Sequence, residues 1–150
     1  MDESPDALSD PKDKLVLVVD DDDGQRDLLK YLVGKEGFRL ADASSGADAL
    51  KKVKELSPDL ILLDLMLPGM GGYEILRELQ ATGNGDIPVL IASARTMDEK
   101  MIATLTSEPN VRGFFPKPPK PKVFREKIHS LLRTRPPTLK PQTDIYGSAS

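Results

Sequence analysis

Between residues 14 and 133 the chain alternates short, continuously apolar runs with longer stretches in which apolar residues recur every three or four positions. The run Leu15-Val16-Leu17-Val18-Val19 has no polar residue on either face, the pattern of a strand buried on both sides of a sheet. It ends in four aspartates, Asp20 to Asp23, after which Leu28, Leu29, Leu32 and Val33 share a helical face until Gly34 and Gly37. A weaker strand, Phe38 to Ala43, leads to a second helix that opens at Ser45-Gly46, carries Ala49, Leu50, Val53 and Leu56, and is broken by Pro58. Leu60-Ile61-Leu62-Leu63 is the second fully apolar strand; it ends at Asp64, and a loop through Gly72 leads to a helix with Ile75, Leu76 and Leu79. Pro88 to Ala92 forms a further strand ending at Ser93, followed by a helix through Met101, Ile102 and Leu105. The last strand, Val111 to Phe115, is closed by Pro116-Lys117-Pro118-Pro119, and the final helix starts near Pro121, where proline suits the first helical position. Five strand–helix units in this order predict an α/β fold, a five-stranded parallel sheet with helices on both faces. Ligands of such sheets lie beyond the carboxyl ends of the strands, where the strand order reverses, so chemistry is sought just after each strand.

Composition narrows the class. With 150 residues, 39% hydrophobic and 30% charged, the chain suits one soluble domain. The apolar runs, five residues at most, fall far short of the roughly 20 that span a bilayer, so no membrane insertion is expected. There is no cysteine, and Met1-Asp2-Glu3-Ser4 lacks the basic and apolar parts of a secretory leader, which makes a cytoplasmic location the expectation. Residues 1–13 hold five acids and one base and read as a disordered acidic tail, and residues 134–150 read as a Pro-rich flexible tail too short for an effector domain. The domain between them, 14–133, balances 18 bases against 18 acids and gives no electrostatic reason to expect direct nucleic-acid binding.

The residues at the strand ends form a coherent chemical set: Asp20 and Asp21 after the first strand, Asp64 after the third, Ser93 after the fourth and Lys117 after the fifth. Three carboxylates brought together repel one another and call for a cation, and oxygen donors without Cys or His select a hard ion such as Mg²⁺. Taken alone, Asp20 to Asp23 also read as a solvated turn with helix-capping carboxylates. Asp64 does not read that way, because a carboxylate at the end of a fully apolar strand is costly to leave unpaired.

On Val18-Val19-Asp20-Asp21, the phrase from Pro58 through Asp64 to Met70, Ser93-Ala94 and Lys117-Pro118, the chain resembles the receiver domain of two-component response regulators. The resemblance covers nearly all of 14–133 and implies the flavodoxin-like (βα)5 receiver fold. It implies that Asp64 accepts a phosphoryl group from a phosphohistidine on a histidine kinase or histidine phosphotransfer protein. Asp20, Asp21, Asp64 and the backbone carbonyl of Met66 would hold Mg²⁺, Ser93 would hydrogen-bond the phosphoryl oxygens, and Lys117 would pair with the phosphoaspartate. Such a domain is no turnover enzyme, although it assists its own phosphorylation and dephosphorylation. Phe114 stands where the family has an aromatic switch coupled to Ser93, without the hydroxyl of a tyrosine. Met66 and Arg95, each two residues beyond a site residue, flank the path of a hydrolytic water and form an expected dephosphorylation gate.

The sequence departs from the pattern at two places. Gly71-Gly72 replaces an acid-glycine pair before the third helix, which removes a capping acid and is expected to loosen the loop, and Pro119-Lys120-Pro121 stiffens the segment after Lys117. These keep an alternative open, an unswitched interaction module that retains the fold without using Asp64. A third reading, an aspartyl-phosphate hydrolase, wants a second carboxylate two residues after the nucleophile, where Met66 stands. Arg112, Lys117, Lys120, Lys122, Arg125, Lys127 and Arg133 against the single acid Glu126 make the C-terminal end basic, and the output face for a downstream protein is expected on the fourth helix, fifth strand and fifth helix. The lone histidine, His129, is expected to be a partly exposed helix residue.

Overall fold

The structure is a computed structural model that describes residues 8–93 and 98–137. Its strands are β1 (Leu15–Val19), β2 (Arg39–Ala43), β3 (Leu60–Asp64), β4 (Val89–Ser93) and β5 (Val111–Pro116); its helices are α1 (Asp23–Gly34), α2 (Gly46–Leu56), α3 (Gly72–Ala81), α4 (Glu99–Thr106) and α5 (Pro121–Leu132). All strand pairs are parallel, in the order β2-β1-β3-β4-β5. This is the flavodoxin-like receiver fold the sequence predicts. The chain moves from β1 outward to β2 and then crosses back to β3, so the order reverses between β1 and β3, and the crevice opens beyond Val19 and Asp64.

Strand alternation divides the core in two. Val16 and Val18, Leu60 and Leu62, and Leu90 and Ala92 pack with Leu29, Leu32 and Val33 of α1 and with Phe124, Ile128 and Leu132 of α5. Their neighbours Leu17, Val19, Ile61, Leu63, Val89 and Ile91 face the other way, onto Ala49 and Val53 of α2, Ile75, Leu76 and Leu79 of α3, and Leu105 of α4. The continuous apolar runs are thus explained by a cover of helices on each face. No helix among the described residues is long and apolar enough to cross a membrane.

The ordered body reaches beyond 14–133. Residues 11–13 form a short 3-10 turn whose Pro11 is buried, packed on Gly37, where φ is 97° and a side chain would be strained. Ser9 pairs with Thr134 in a parallel bridge, with Ser9 N–H donating to Arg133 O and Arg135 N–H to Ser9 O. The inner ends of the expected tails, 8–13 and 134–137, therefore belong to the packed body, because backbone pairing and Pro11 burial offset the low apolar content that suggested disorder.

His129 is buried at 5% exposure, contrary to the sequence expectation. Its Nε2 lies 2.9 Å from Glu36 Oε1 and its Nδ1 2.7 Å from Thr134 Oγ1, while its ring stacks obliquely on Phe38 at 5.0 Å. Arg125 Nε also donates to Glu36 Oε1, at 2.9 Å. A polar partner on each ring nitrogen, Glu36 and Thr134, makes burial of the imidazole tolerable.

Candidate functional site

Both strong strands end in carboxylates that the fold brings together. Asp20 is fully buried just after β1, Asp64 is buried as the last residue of β3, and Asp21 is exposed; one carboxylate oxygen from each lies within 4.8 Å of the others. Lys117, just after β5, reaches into the same crevice with a side chain 6% exposed, placing Nζ 2.8 Å from Asp20 Oδ2 and 3.3 Å from Asp64 Oδ2. Burial alone would lower the Lys117 pKa, but the hydrogen bond to Asp20 and the charges of Asp64 and Asp20 outweigh it and hold the ammonium above its ordinary range. The remaining oxygens of the pair are held by backbone: Asp20 Oδ1 accepts from Asp22 N–H at 3.0 Å and Asp64 Oδ1 from Met66 N–H at 3.1 Å.

The aspartate run resolves into two functions. Asp20 and Asp21 enter the cluster, whereas Asp22 caps α1 by accepting from Gln25 N–H at 2.8 Å, and Asp23 pairs with Arg26 at 2.6 Å. The run thus divides, its first half joining the carboxylate cluster and its second half serving the start of α1. The loop after β3 is also fixed more firmly than its glycines suggest. Gly72 N–H donates to Leu65 O at 3.2 Å, and a Cβ at Gly72 would stand 3.0 Å from Leu65 Cα, so glycine is what permits this close approach. Glu74 Oε1 accepts from Gly71 N–H at 3.2 Å, the reciprocal half of a capping box. Gly71 supplies no side-chain cap, as expected, and these contacts hold the loop against α3 and Leu65.

Three carboxylates against one lysine leave the cluster with an excess of two negative charges, and no ion pair reaches Asp21 among the described residues. The donors are all oxygens, two of them on buried residues, which fits a hard divalent ion that retains waters. Phe114 is half-buried and packs against the apolar core on the α2–α4 face of the sheet. The Ser93 side chain and Arg95 lie outside the described residues; the Ser93 backbone closes β4 beside Pro116. Met66 projects outward with 61% exposure, beside a groove of about 400 Å³ between α3 and α4 lined by Leu65, Tyr73, Met101 and Leu105.

The basic C-terminal end is partly consumed. Lys117 serves the cluster, Arg125 pairs with Glu36, and Lys127 Nζ donates to Phe114 O at 2.8 Å. Two pairings escaped the sequence reading: Arg26 with Asp42, at 3.0 Å, and Glu36 with Arg125 and His129. Asp42 was visible as a lone acid in a weak strand, but its partner lies 16 residues earlier, on a helix whose rotation the sequence does not specify.

Comparison with known proteins agrees with this geometry. Residues 16–129 match the family model described as the response regulator receiver domain. The chain is 40% identical over 118 residues to the DNA-binding response regulator MtrA of Mycolicibacterium smegmatis, covering 79% of this chain and 50% of that protein. It is 36% identical, again over 118 residues, to the transcriptional regulatory protein AfsQ1 of Streptomyces coelicolor, covering 79% and 51%. The chain thus spans about half the length of these curated relatives. Among solved structures, the N-terminal domain of a response regulator receiver protein from Methanoculleus marisnigri superposes with a TM-score of 0.66 at 28% identity, covering 81% of this chain and 98% of that one. With strand order, acidic crevice and family match in agreement, the chain belongs to the receiver domains of two-component response regulators.

Proposed function

We propose that Asp64 is the phosphoacceptor of this receiver domain, taking its phosphoryl group from a phosphohistidine of a histidine kinase or histidine phosphotransfer protein. In the transfer the P–N bond to imidazole breaks and a P–O bond to Asp64 forms; the imidazole nitrogen leaves with the electron pair and takes up a proton. The observation that carries this reading is the buried contact of Lys117 with both Asp20 and Asp64 beneath an exposed Asp21. Charge in such a transition state spreads over the peripheral phosphoryl oxygens, so catalysis is mainly positioning plus cationic neutralisation. Asp20, Asp21, Asp64 and the Met66 carbonyl would hold Mg²⁺, which supplies part of that neutralisation when bound. Lys117 supplies the rest from within the protein, and Ser93 donates its hydroxyl to the phosphoryl group. The acceptor carboxylate is already oriented by Met66 N–H, so little rearrangement precedes attack.

Ser93 and Phe114 then report the modified state to the surface made by α4, β5 and α5, where a downstream protein docks. Arg112, beside Val123 and Lys127 on the β5–α5 side, carries no ion pair among the described residues and suits an acidic partner surface on that face, whereas Lys122 lies on the other side of α5, beside Lys35 and Arg125. The domain itself acts through protein partners and not through nucleic acid. Met66, apolar and unable to orient a water, and Arg95, able to cover phosphoryl oxygens, gate hydrolysis and lengthen the life of the phosphorylated state.

The test is labelling by acetyl phosphate with Mg²⁺. The expected outcome is one acid-labile phosphoryl group per chain, absent in Asp64→Asn and decaying slowly once the donor is removed. Labelling that survives Asp64→Asn overturns the assignment, and a parent that takes no label leaves the unswitched interaction module as the better reading.

A further inference from the structure

Arg26 sits in the first turn of α1, outside the acidic cluster, with a side chain only 14% exposed. Its guanidinium makes three directed contacts: Nη2 to Asp23 Oδ1 at 2.6 Å, Nε to Asp42 Oδ2 at 3.0 Å, and Nη1 to the main-chain carbonyl of Asp20 at 2.9 Å. Asp42, at the far end of β2, is braced in turn by Lys30 Nζ at 3.3 Å. The neighbouring carboxylates raise the Arg26 pKa above its already high value, so the guanidinium stays charged.

The third contact has a geometric consequence for the cluster. The Asp20 carbonyl belongs to the peptide that joins Asp20 to Asp21, the two carboxylates that β1 contributes. A peptide is planar, so fixing its oxygen fixes the plane and with it the direction in which Asp21 leaves Asp20. On the other side Asp20 N–H donates to Ala43 O at 3.1 Å, which leaves the Arg26 contact as the restraint on the plane that faces Asp21. Asp21 is exposed and has no ion pair of its own among the described residues; besides the turn that Asp22 N–H closes around it on Asp20 Oδ1, the Arg26 contact is what directs its carboxylate toward Asp20 and Asp64. The positive charge stays behind the backbone, matched by Asp23 and Asp42, and does not compete with a cation among the carboxylates.

We propose that Arg26 is a positioning residue for the acidic site: it holds the Asp20–Asp21 peptide so that both side chains converge with Asp64. The inference rests on the reading of that cluster as a divalent-cation and phosphoacceptor site. A fork of rigid donors is needed to serve a carbonyl and two carboxylates at once, and a lysine ammonium does this poorly.

The experiment compares the parent with Arg26→Gln and Arg26→Lys in the intact chain. Mg²⁺ affinity is read by titrating amide shifts, labelling by acetyl phosphate at low and at saturating Mg²⁺, and thermal stability alongside. Ile128→Val, a buried core residue of α5 outside the clamp, serves as a stability control. Arg26→Gln is expected to weaken Mg²⁺ binding about tenfold, to slow labelling in proportion at low Mg²⁺ and to recover much of it at saturation, with Arg26→Lys in between. Without metal, the Asp21 and Asp22 amides should exchange faster in Arg26→Gln and unchanged in Ile128→Val. A parent that binds Mg²⁺ and an Arg26→Gln variant that binds it equally well overturn the inference alone. A loss of affinity matched by Ile128→Val at equal loss of stability also overturns it, since Arg26 would then act only on the fold. A parent that binds no Mg²⁺ and takes no label overturns the site reading, and this inference falls with it.

Discussion

At the carboxyl end of the sheet three carboxylates face one lysine, whereas at the amino end one carboxylate, Glu36, faces an arginine and a histidine. Both groups are largely buried, yet they are built to different ends. The lower cluster is closed: Glu36 Oε1 meets Arg125 and His129, the histidine's other nitrogen meets Thr134, and Thr134 is bridged to Ser9, so each polar group finds a partner within the chain. The upper cluster is left open, with excess negative charge and an exposed Asp21. Charge crowding costs stability in the free protein and is relieved when a cation or phosphoryl group arrives. A closed cluster ties segments together, and an open one is poised to bind.

The contrast is tested most severely by removing one carboxylate from each end. Glu36→Ala leaves a buried imidazole and a partly buried guanidinium without their shared acceptor. With allowance for the exposure of Arg125, the expected loss is about 2 kcal/mol, a fall in Tm of roughly 8 °C for a domain of this size, and labelling of the folded fraction should be unchanged. Asp64→Asn should act with the opposite sign. In the presence of a chelator it removes like-charge repulsion and should raise stability by about 1 kcal/mol while abolishing labelling. Thermal melts of both variants against the parent decide the matter. Equal destabilisation by the two substitutions would show that the ends do not differ in the way their charges suggest.

The same contrast explains what could be read from the sequence. The apolar runs of β1, β3 and β4 were legible because burial on both faces admits no polar residue, and Asp64 stood out because it breaks such a run at its end. Lys117 was legible by its position after the last strand, where its Nζ lies beside Asp20 and Asp64. The lower cluster was not, since Glu36 and Thr134 follow helix ends, Arg125 and His129 lie within α5, and the four meet only when α1 and α5 pack side by side. His129 was misjudged for that reason: a single histidine on a helix carries no sign of a partner 93 residues away. The packing of the inner flanks, 8–13 and 134–137, was not legible because backbone pairing between Ser9 and Thr134 does not depend on side-chain type; residues 1–7 and 138–150 lie outside the described residues.

The smallest effect concerns Asp42, which belongs to the upper end but is paired as completely as the lower cluster. Burial tends to raise its pKa, but hydrogen bonds and charge from Lys30 and Arg26 outweigh this and set the carboxyl below its ordinary value of 3.8. The folded state therefore binds the proton less tightly than the unfolded chain does. The pairing contributes its full stability above the unfolded pKa and loses it as the pH falls through the folded one. The side chain is one-third exposed, so solvent screening limits the contribution to about 0.5 kcal/mol. Asp42→Asn should accordingly be less stable than the parent by that amount at pH 7, with the two melting curves converging as the pH is lowered below about 3.8. The difference should shrink in high salt as well, since both partners of the carboxylate reach solvent. A deficit that persists unchanged at low pH would mean that Asp42 serves by shape and hydrogen bonding alone, and that the brace behind Arg26 is not electrostatic.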